Sequence, residues 1–269
     1  MDILCPAAVI GTNSWGGKLY GKALRGSYVT DEVILEAMKE AKRQDICLYD
    51  LARDYGLGKA QKMIGEFGTA DILLSAKYTP FTHYKKGCVR KSLEKDLNDF
   101  KRSYVEVYWL HLPTDIEEHL TEIASLYKEG KIKYVGVSNF TLEECKRSKA
   151  VLEEGLLTDP RLRKKSLMKF FFNRKVKKLT PLYKAMIKVA KRRDAKVPQI
   201  AMAYCAAKGV IPMCGCRKPE QVKDLAEAVR IRLTDQEINL LETVADGLKV
   251  KIMGPDLFRP FVLKERRQG

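Results

Sequence analysis

The chain has 269 residues, 45% of them apolar, and a net charge of +16 from 50 Lys and Arg against 34 Asp and Glu. That is enough hydrophobic material for one large core, which excludes a disordered chain, and the charge favours anionic ligands. No apolar run approaches the roughly 18 residues of a membrane span and no charged-then-apolar leader opens the chain, so a cytoplasmic protein with no membrane contact is expected.

The first strand candidate, Ala7–Gly11, runs into the glycine-bearing loop Gly11-Thr12-Asn13-Ser14-Trp15-Gly16-Gly17. Thr30 is a plausible N-cap, because Val33, Ile34, Ala37, Met38 and Ala41 then recur at helical spacing. A second apolar run, Ile46–Tyr49, stops at Asp50, with Tyr55 five residues later; a third, Ile72–Ala76, stops at Lys77. Val89, Leu93, Leu97 and Phe100 mark another amphipathic helix before the run Val105–Leu110, which stops at His111. The run Tyr134–Val137 stops at Ser138 and Asn139. From Arg161 to Lys196 there are 15 Lys or Arg against one acid, Asp194. Leu182, Ala185, Met186, Val189 and Ala190 there predict an amphipathic surface helix with a solvated basic face, and no nucleic-acid partner. A last strand, Gly209–Met213, precedes Thr234-Asp235-Gln236-Glu237, which reads as a capping box.

Nearly continuous apolar strands alternating with helices imply parallel strands joined by crossovers, buried on both faces. A doubly wound sheet and a (β/α)8 TIM barrel are the two candidates. The loop after the first strand does not spell G-x-G-x-x-G and no Walker sequence occurs, so the barrel is preferred, as one domain over residues 1–269. Seven cysteines scattered between Cys5 and Cys216 read as free thiols of a reducing compartment. Cys214-Gly215-Cys216 has no second cluster to complete four ligands, and no metal is expected.

Barrel active sites form at the carboxyl ends of the strands, which singles out Asp50, Tyr55, Lys77, His111, Ser138 and Asn139. Their chemistry is complementary. A phenol of ordinary pKa about 10 is a poor acid at neutral pH, and a neighbouring ammonium makes its proton easier to release. Lys77 can supply that charge, Asp50 can keep a buried lysine charged, and His111 can orient the oxygen that receives the proton.

Taken together, "YDLARDYG", "LSAKY", "LHLP", "GKIKYVGVSNF" and "VIPMCGCRKPEQV" resemble, in order, the motifs of the aldo-keto reductase superfamily. The resemblance implies Tyr55 as general acid, Lys77 and Asp50 as its tuners and His111 as the carbonyl orienter. It also implies NADPH (NADP+) as hydride donor. Ser138 and Asn139 match the positions that hold the carboxamide of nicotinamide. Gly215, Arg217, Lys218 and Gln221 match the loop and helix start at the adenosine end, and the implied cofactor set extends to Leu152, Glu154, Gly155 and Asp224. Leu225 stands where the family often has Asn, which removes an adenine contact. Trp15 and Tyr78 are implied to shape the substrate pocket.

Between Asn139 and Gly155 the sequence departs from the family. Roughly one and a half βα units are missing relative to an eight-stranded barrel, and "VLEEGLLTDP" resembles the loop that follows strand seven. Six strands are therefore expected, with two exposed edges. The motifs on both sides of the join are preserved, which points to an omitted or spliced-out stretch rather than a minimal variant. Two functions follow. One is reduction of a small aldehyde or ketone; the other is a non-catalytic, cofactor-sensing or protein-binding member of the same fold. The substrate and the oligomeric state stay open.

Overall fold

In the computed structural model the described residues are 7–15, 17, 28–153, 179–248 and 262–263. They build one parallel sheet from β1 (Val9–Gly11), β2 (Leu48–Asp50), β3 (Leu73–Tyr78), β4 (Val105–Leu110), β5 (Ile132–Val137) and β6 (Met213–Gly215), in the spatial order β5-β4-β3-β2-β1-β6. The last strand lies beside the first, as it does in a (β/α)8 barrel. The described sheet is thus an arc of six strands, an incomplete barrel whose edges are β5 and β6.

Helices α1 (Asp31–Arg43), α2 (Lys59–Phe67), α3 (Cys88–Phe100), α4 (Ile116–Lys128) and α5 (Leu142–Glu153) follow the first five strands in turn. Strand side chains alternate between faces, and Ile10, Tyr49, Leu74, Ala76, Tyr108 and Leu110 face the helices, where they join Ile34, Ala37, Ile64, Val89, Leu93, Leu120 and Ile123 in one buried cluster. The register pairs Asp50 with Ser75 and Lys77 with Trp109, which puts these polar side chains together on the opposite, concave face. Helices α2 and α3 approach so closely that a Cβ on Gly65 would lie 1.8 Å from the Asp99 carbonyl oxygen, a contact only glycine permits.

Beyond residue 178 lie α6 (Thr180–Arg192), α7 (Val197–Ala207), α8 (Pro219–Ala228) and α9 (Asp235–Gly247). Helix α6 buries Val189 and Ala190 with Ile200 and Leu241, and turns Lys184, Lys188, Lys191 and Arg192 to solvent, as its spacing predicts. The Arg161–Lys178 part of the basic segment lies outside the described residues. Arg193 ties α6 to α9 through Glu237 at 2.6 Å. That guanidinium is the main cause holding the Glu237 carboxyl down at about 2. The Thr234 capping box is formed, its hydroxyl accepting from the Glu237 N–H at 3.3 Å.

Most strand ends shift by one or two residues from the sequence reading, while the helix start at Thr30 holds as read. Thr30 occupies the N-cap position of α1, yet its hydroxyl makes no cap hydrogen bond. The last strand is Met213–Gly215 instead of Gly209–Met213; Gly209 has φ +69° just past the end of α7, and strand pairing starts only beyond Pro212, which has no N–H to give. The stretch Val151-Leu152-Glu153, read as a loop after a seventh strand, is the last turn of α5.

Candidate active site

The β2–α2 loop carries two of the expected residues and is folded tightly. The Asp50 carbonyl accepts from the Thr12 hydroxyl at 2.8 Å, the Leu51 N–H donates to Ser75 O at 2.8 Å, and the Tyr55 N–H donates to Ala52 O at 2.9 Å. Gly56 and Leu57 then take left-handed φ values of 58° and 57°, turning the chain into α2.

This fold brings the four strand-end groups together. Lys77 Nζ lies 2.6 Å from Asp50 Oδ1, donates to Leu51 O at 3.1 Å, and stands 5.1 Å from the centre of the Tyr55 ring. The Tyr55 and His111 rings are 6.2 Å apart with planes at 79°. Asp50, Lys77 and Tyr55 are 1%, 4% and 7% exposed, so the ion pair is screened little by water. A buried pair of this kind persists because each partner would be costly to leave alone.

Around that centre lie groups the sequence reading missed. Thr79 Oγ1 donates to Asp54 Oδ1 at 2.8 Å and lies 2.8 Å from His111 Nδ1, which itself stands 3.6 Å from Asp54 Oδ1. Burial works to raise the Asp54 pKa, yet His111, Thr79 and the backbone together carry it below the usual carboxylate range. Arg53 reaches the other way, to Asp96 and Asp99 on α3, and so pins the loop from behind. Burial pushes the Asp96 carboxyl up to about 7, against the pull of Arg53. Trp109 donates from Nε1 to Ser75 Oγ at 2.8 Å and lies flat against Gly136, where a Cβ would be 2.3 Å from the indole. Strand alternation was a usable signal for Thr79, two residues past Lys77 and on its face; the Arg53 clamp has no local signal.

Alternation also corrects the expectation for Tyr78. One residue past Lys77, it faces the helices, with its ring 5.2 Å from that of His119. Burial and its bond with the Cys88 thiol raise its hydroxyl pKa. Trp15 is 1% exposed, packs edge-on against Tyr49 and donates to Cys216 O at 2.8 Å, which makes it a strut between the β1 and β6 loops. Leu152, expected at the cofactor, is 5% exposed in the core as part of α5; the helix continues through the supposed loop and turns it inward. Glu154 and Gly155 lie outside the described residues.

The remaining expected positions gather at the two sheet edges. Ser138 and Asn139 follow β5; Asn139 adopts φ +64°, and its Nδ2 donates to His111 O at 2.8 Å and to Ser138 Oγ at 3.2 Å. Gly215 ends β6, and Arg217 and Lys218 lead into α8. Gln221 Oε1 accepts from the backbone N–H of Arg217 at 2.8 Å and of Lys218 at 3.1 Å, which fixes the loop. Asp224, one turn on, is held by Lys196 at 2.6 Å. Among the described residues no group of three or more His, Cys, Asp or Glu is arranged to hold a metal, and no helix is long and apolar enough to cross a membrane.

Comparison with known proteins bears on the family and the fold. The model described as "Aldo/keto reductase family" matches residues 8–153 and 148–246, two stretches that meet within α5. The aldo-keto reductase YhdN of Bacillus subtilis is 31% identical over 163 residues, 54% of this chain and 47% of its own length, so the match spans about half of that relative. An NADPH-dependent alpha-keto amide reductase of Saccharomyces cerevisiae is 23% identical over 86% of this chain and 84% of its own. The crystal structure of an aldo-keto reductase from Klebsiella pneumoniae in complex with NADPH superposes with a TM-score of 0.70 at 21% identity, covering 89% of this chain and 90% of that one.

Proposed function

Since the chain belongs to the aldo/keto reductase family, we propose that it is an NADPH-dependent oxidoreductase that reduces the carbonyl of a small aldehyde or ketone to an alcohol. The observation that carries this reading is the meeting of Asp50, Tyr55, Lys77 and His111 at the carboxyl ends of three adjacent strands.

The residues present fit a phosphorylated dinucleotide. Arg217 and Lys218 offer cations where the dipole of α8 also favours an anion. Gln221 already occupies their backbone N–H groups, so the phosphates would be held by the side chains. Ser138 and Asn139 would hold the nicotinamide carboxamide. NADPH, when bound, supplies the hydride. The protein's own part is the proton: the Lys77 cation stabilises negative charge on the Tyr55 oxygen, so Tyr55 can release its proton to the oxygen of the reduced substrate. Asp50 keeps Lys77 charged inside the barrel. The free thiols of Cys47, Cys88, Cys145, Cys205, Cys214 and Cys216 suit the reducing cytoplasm that forms part of the proposal.

Tyr55→Phe tests the assignment. Carbonyl reduction should fall by about 10²–10⁴-fold, the share of a general acid, while NADPH affinity measured by fluorescence titration stays unchanged; undiminished turnover would reject Tyr55 as the acid. The six-stranded arc of the described residues favours a second reading, a cofactor-sensing or protein-binding member of the family. NADPH binding with no turnover on a panel of small aldehydes would support it.

A further inference from the structure

The Cys214-Gly215-Cys216 stretch takes no part in the proton chemistry, yet the fold brings its two thiols together. Cys214 sits in edge strand β6, opposite Ile10 of β1, and Cys216 follows one residue past the strand's end. Side chains two residues apart on an extended chain share a face. Both join the helix-side cluster, Cys216 fully buried within it and the half-buried Cys214 packed against it. The two thiols are hydrogen-bonded to each other. That bond, burial and the Asp224 carboxylate make Cys216 hold its proton, so the buried thiol is the poorer nucleophile. Cys214 is the one a small oxidant reaches. Extended residues two apart lie about 6.6–6.8 Å from Cα to Cα, at the upper edge of the roughly 4.4–6.8 Å that a disulfide bridges. Closing the bond needs only a small contraction at Gly215, an exposed residue with no side chain to resist it.

We propose that Cys214 and Cys216 form a redox-active dithiol, which a peroxide oxidises to a disulfide that draws the loop carrying Arg217 and Lys218 out of its binding shape. The Cys214 thiolate attacks one peroxide oxygen and the O–O bond breaks. Its sulfur becomes a sulfenic acid, and the other oxygen leaves as hydroxide, which becomes water with the proton that Cys214 lost. The Cys216 sulfur then attacks the Cys214 sulfur, forming the S–S bond and breaking the S–OH bond; the Cys216 proton leaves with that hydroxide as a second water. The pair has given up two electrons and two protons to the peroxide, and a dithiol reductant reverses the change by exchange. The lever on the loop is short. Cys216 is joined directly to Arg217, and its carbonyl accepts from Trp15 Nε1 at 2.8 Å. The consequence for NADPH rests on the reading of Arg217 and Lys218 as its phosphate contacts.

Peptide mapping reads the bridge without any activity. The reduced protein, treated with hydrogen peroxide and then alkylated, should show Cys214 and Cys216 joined within one peptide, with two thiols fewer open to alkylation and full recovery after dithiothreitol. In Cys216→Ala the bridge cannot close, and Cys214 should be trapped as its sulfenic acid by dimedone. Cys214→Ala should leave the buried Cys216 unmodified. Oxidation that falls on Cys47, Cys88, Cys145 or Cys205 while Cys214 and Cys216 stay open to alkylation would overturn the pair. In fluorescence titration, the oxidised protein should bind NADPH about fivefold more weakly, because a reshaped loop must be ordered anew, and peroxide should leave the affinity of Cys214→Ala unchanged. A bridge that forms with NADPH affinity unaltered would overturn the part given to the loop. A bridge that forms in a protein binding no NADPH in either state would uphold the redox pair while rejecting the function on which the loop argument rests.

Discussion

Strands β2, β3 and β4 lie inside the sheet while β5 and β6 form its edges, and the candidate site divides along that line. The half proposed to handle the proton stands on the interior strands. β4 is buried at all six positions, and Asp50 at the end of β2 pairs with Lys77 of the adjacent β3, which also donates to Leu51 O. The half that would hold the nucleotide stands on the edges, where β5 is buried only at Ile132 and β6 at no position. An interior ion must be paired in the fold itself, because water cannot reach it. The exposed Lys218 can stay solvated until an anion arrives. The first half is therefore tied to stability, and the second to affinity.

The sharpest way to break this contrast is Lys77→Met. It leaves the Asp50 carboxylate buried without its cation and should cost about 3–5 kcal/mol in a denaturant titration. Lys218→Met, a change at an exposed position, should stay within about 0.5 kcal/mol of the wild type. A cost under about 1 kcal/mol for Lys77→Met would place that pair with ordinary surface ion pairs and remove the distinction.

Gly136 is the joint between the halves, on edge strand β5 but beneath Trp109 of β4. In Gly136→Ala the added Cβ, 2.3 Å from the indole, must push Trp109 off its bond with Ser75. Overpacking of this sort costs about 1–3 kcal/mol. Tryptophan fluorescence should report it, since the chain has only Trp15 and Trp109; an unchanged spectrum would mean that β5 moves as a unit and the edge is looser than its pairing suggests.

The strands and the polar positions of both halves were largely legible in the sequence, and the misreadings fall at Tyr78, Leu152 and the Arg53 clamp. Buried parallel strands read as continuous apolar runs, and β4 was found to the residue; Asp50, Lys77 and His111 stood out because each interrupts such a run at its carboxyl end. Tyr78 was misread although strand period alone separates it from Lys77. Leu152 was misread because a helix that continues and a loop that begins look alike over three residues. The clamp of Arg53 on Asp96 and Asp99 joins positions more than forty residues apart, through a helix contact that depends on Gly65, and no local pattern records it.

On the edge half, Lys218→Ala should weaken NADPH binding about tenfold, near 1.4 kcal/mol, as loss of one charge-assisted contact does, with the melting temperature unmoved. An unchanged dissociation constant would move the phosphate contact away from this loop.

The smallest effect expected is also the most discriminating. Gln221 and Gln199 do the same local work, each accepting from the N-cap N–H of its helix, Lys218 at 3.1 Å and Lys196 at 2.8 Å. Gln221 also holds the Arg217 N–H, so it shapes the loop that carries both cations, whereas Gln199 bonds onward to Glu227 at 2.7 Å, away from that loop. Loss of a cap costs about 0.5–2 kcal/mol. Gln199→Ala, losing more bonds at a buried site, should be the less stable of the two. Gln221→Ala should be the one that loses NADPH affinity, by about two- to fivefold, because its loop must be ordered anew on binding. If both variants lost affinity in proportion to stability, the loop would have no special share in the site, and the line drawn between interior and edge would dissolve.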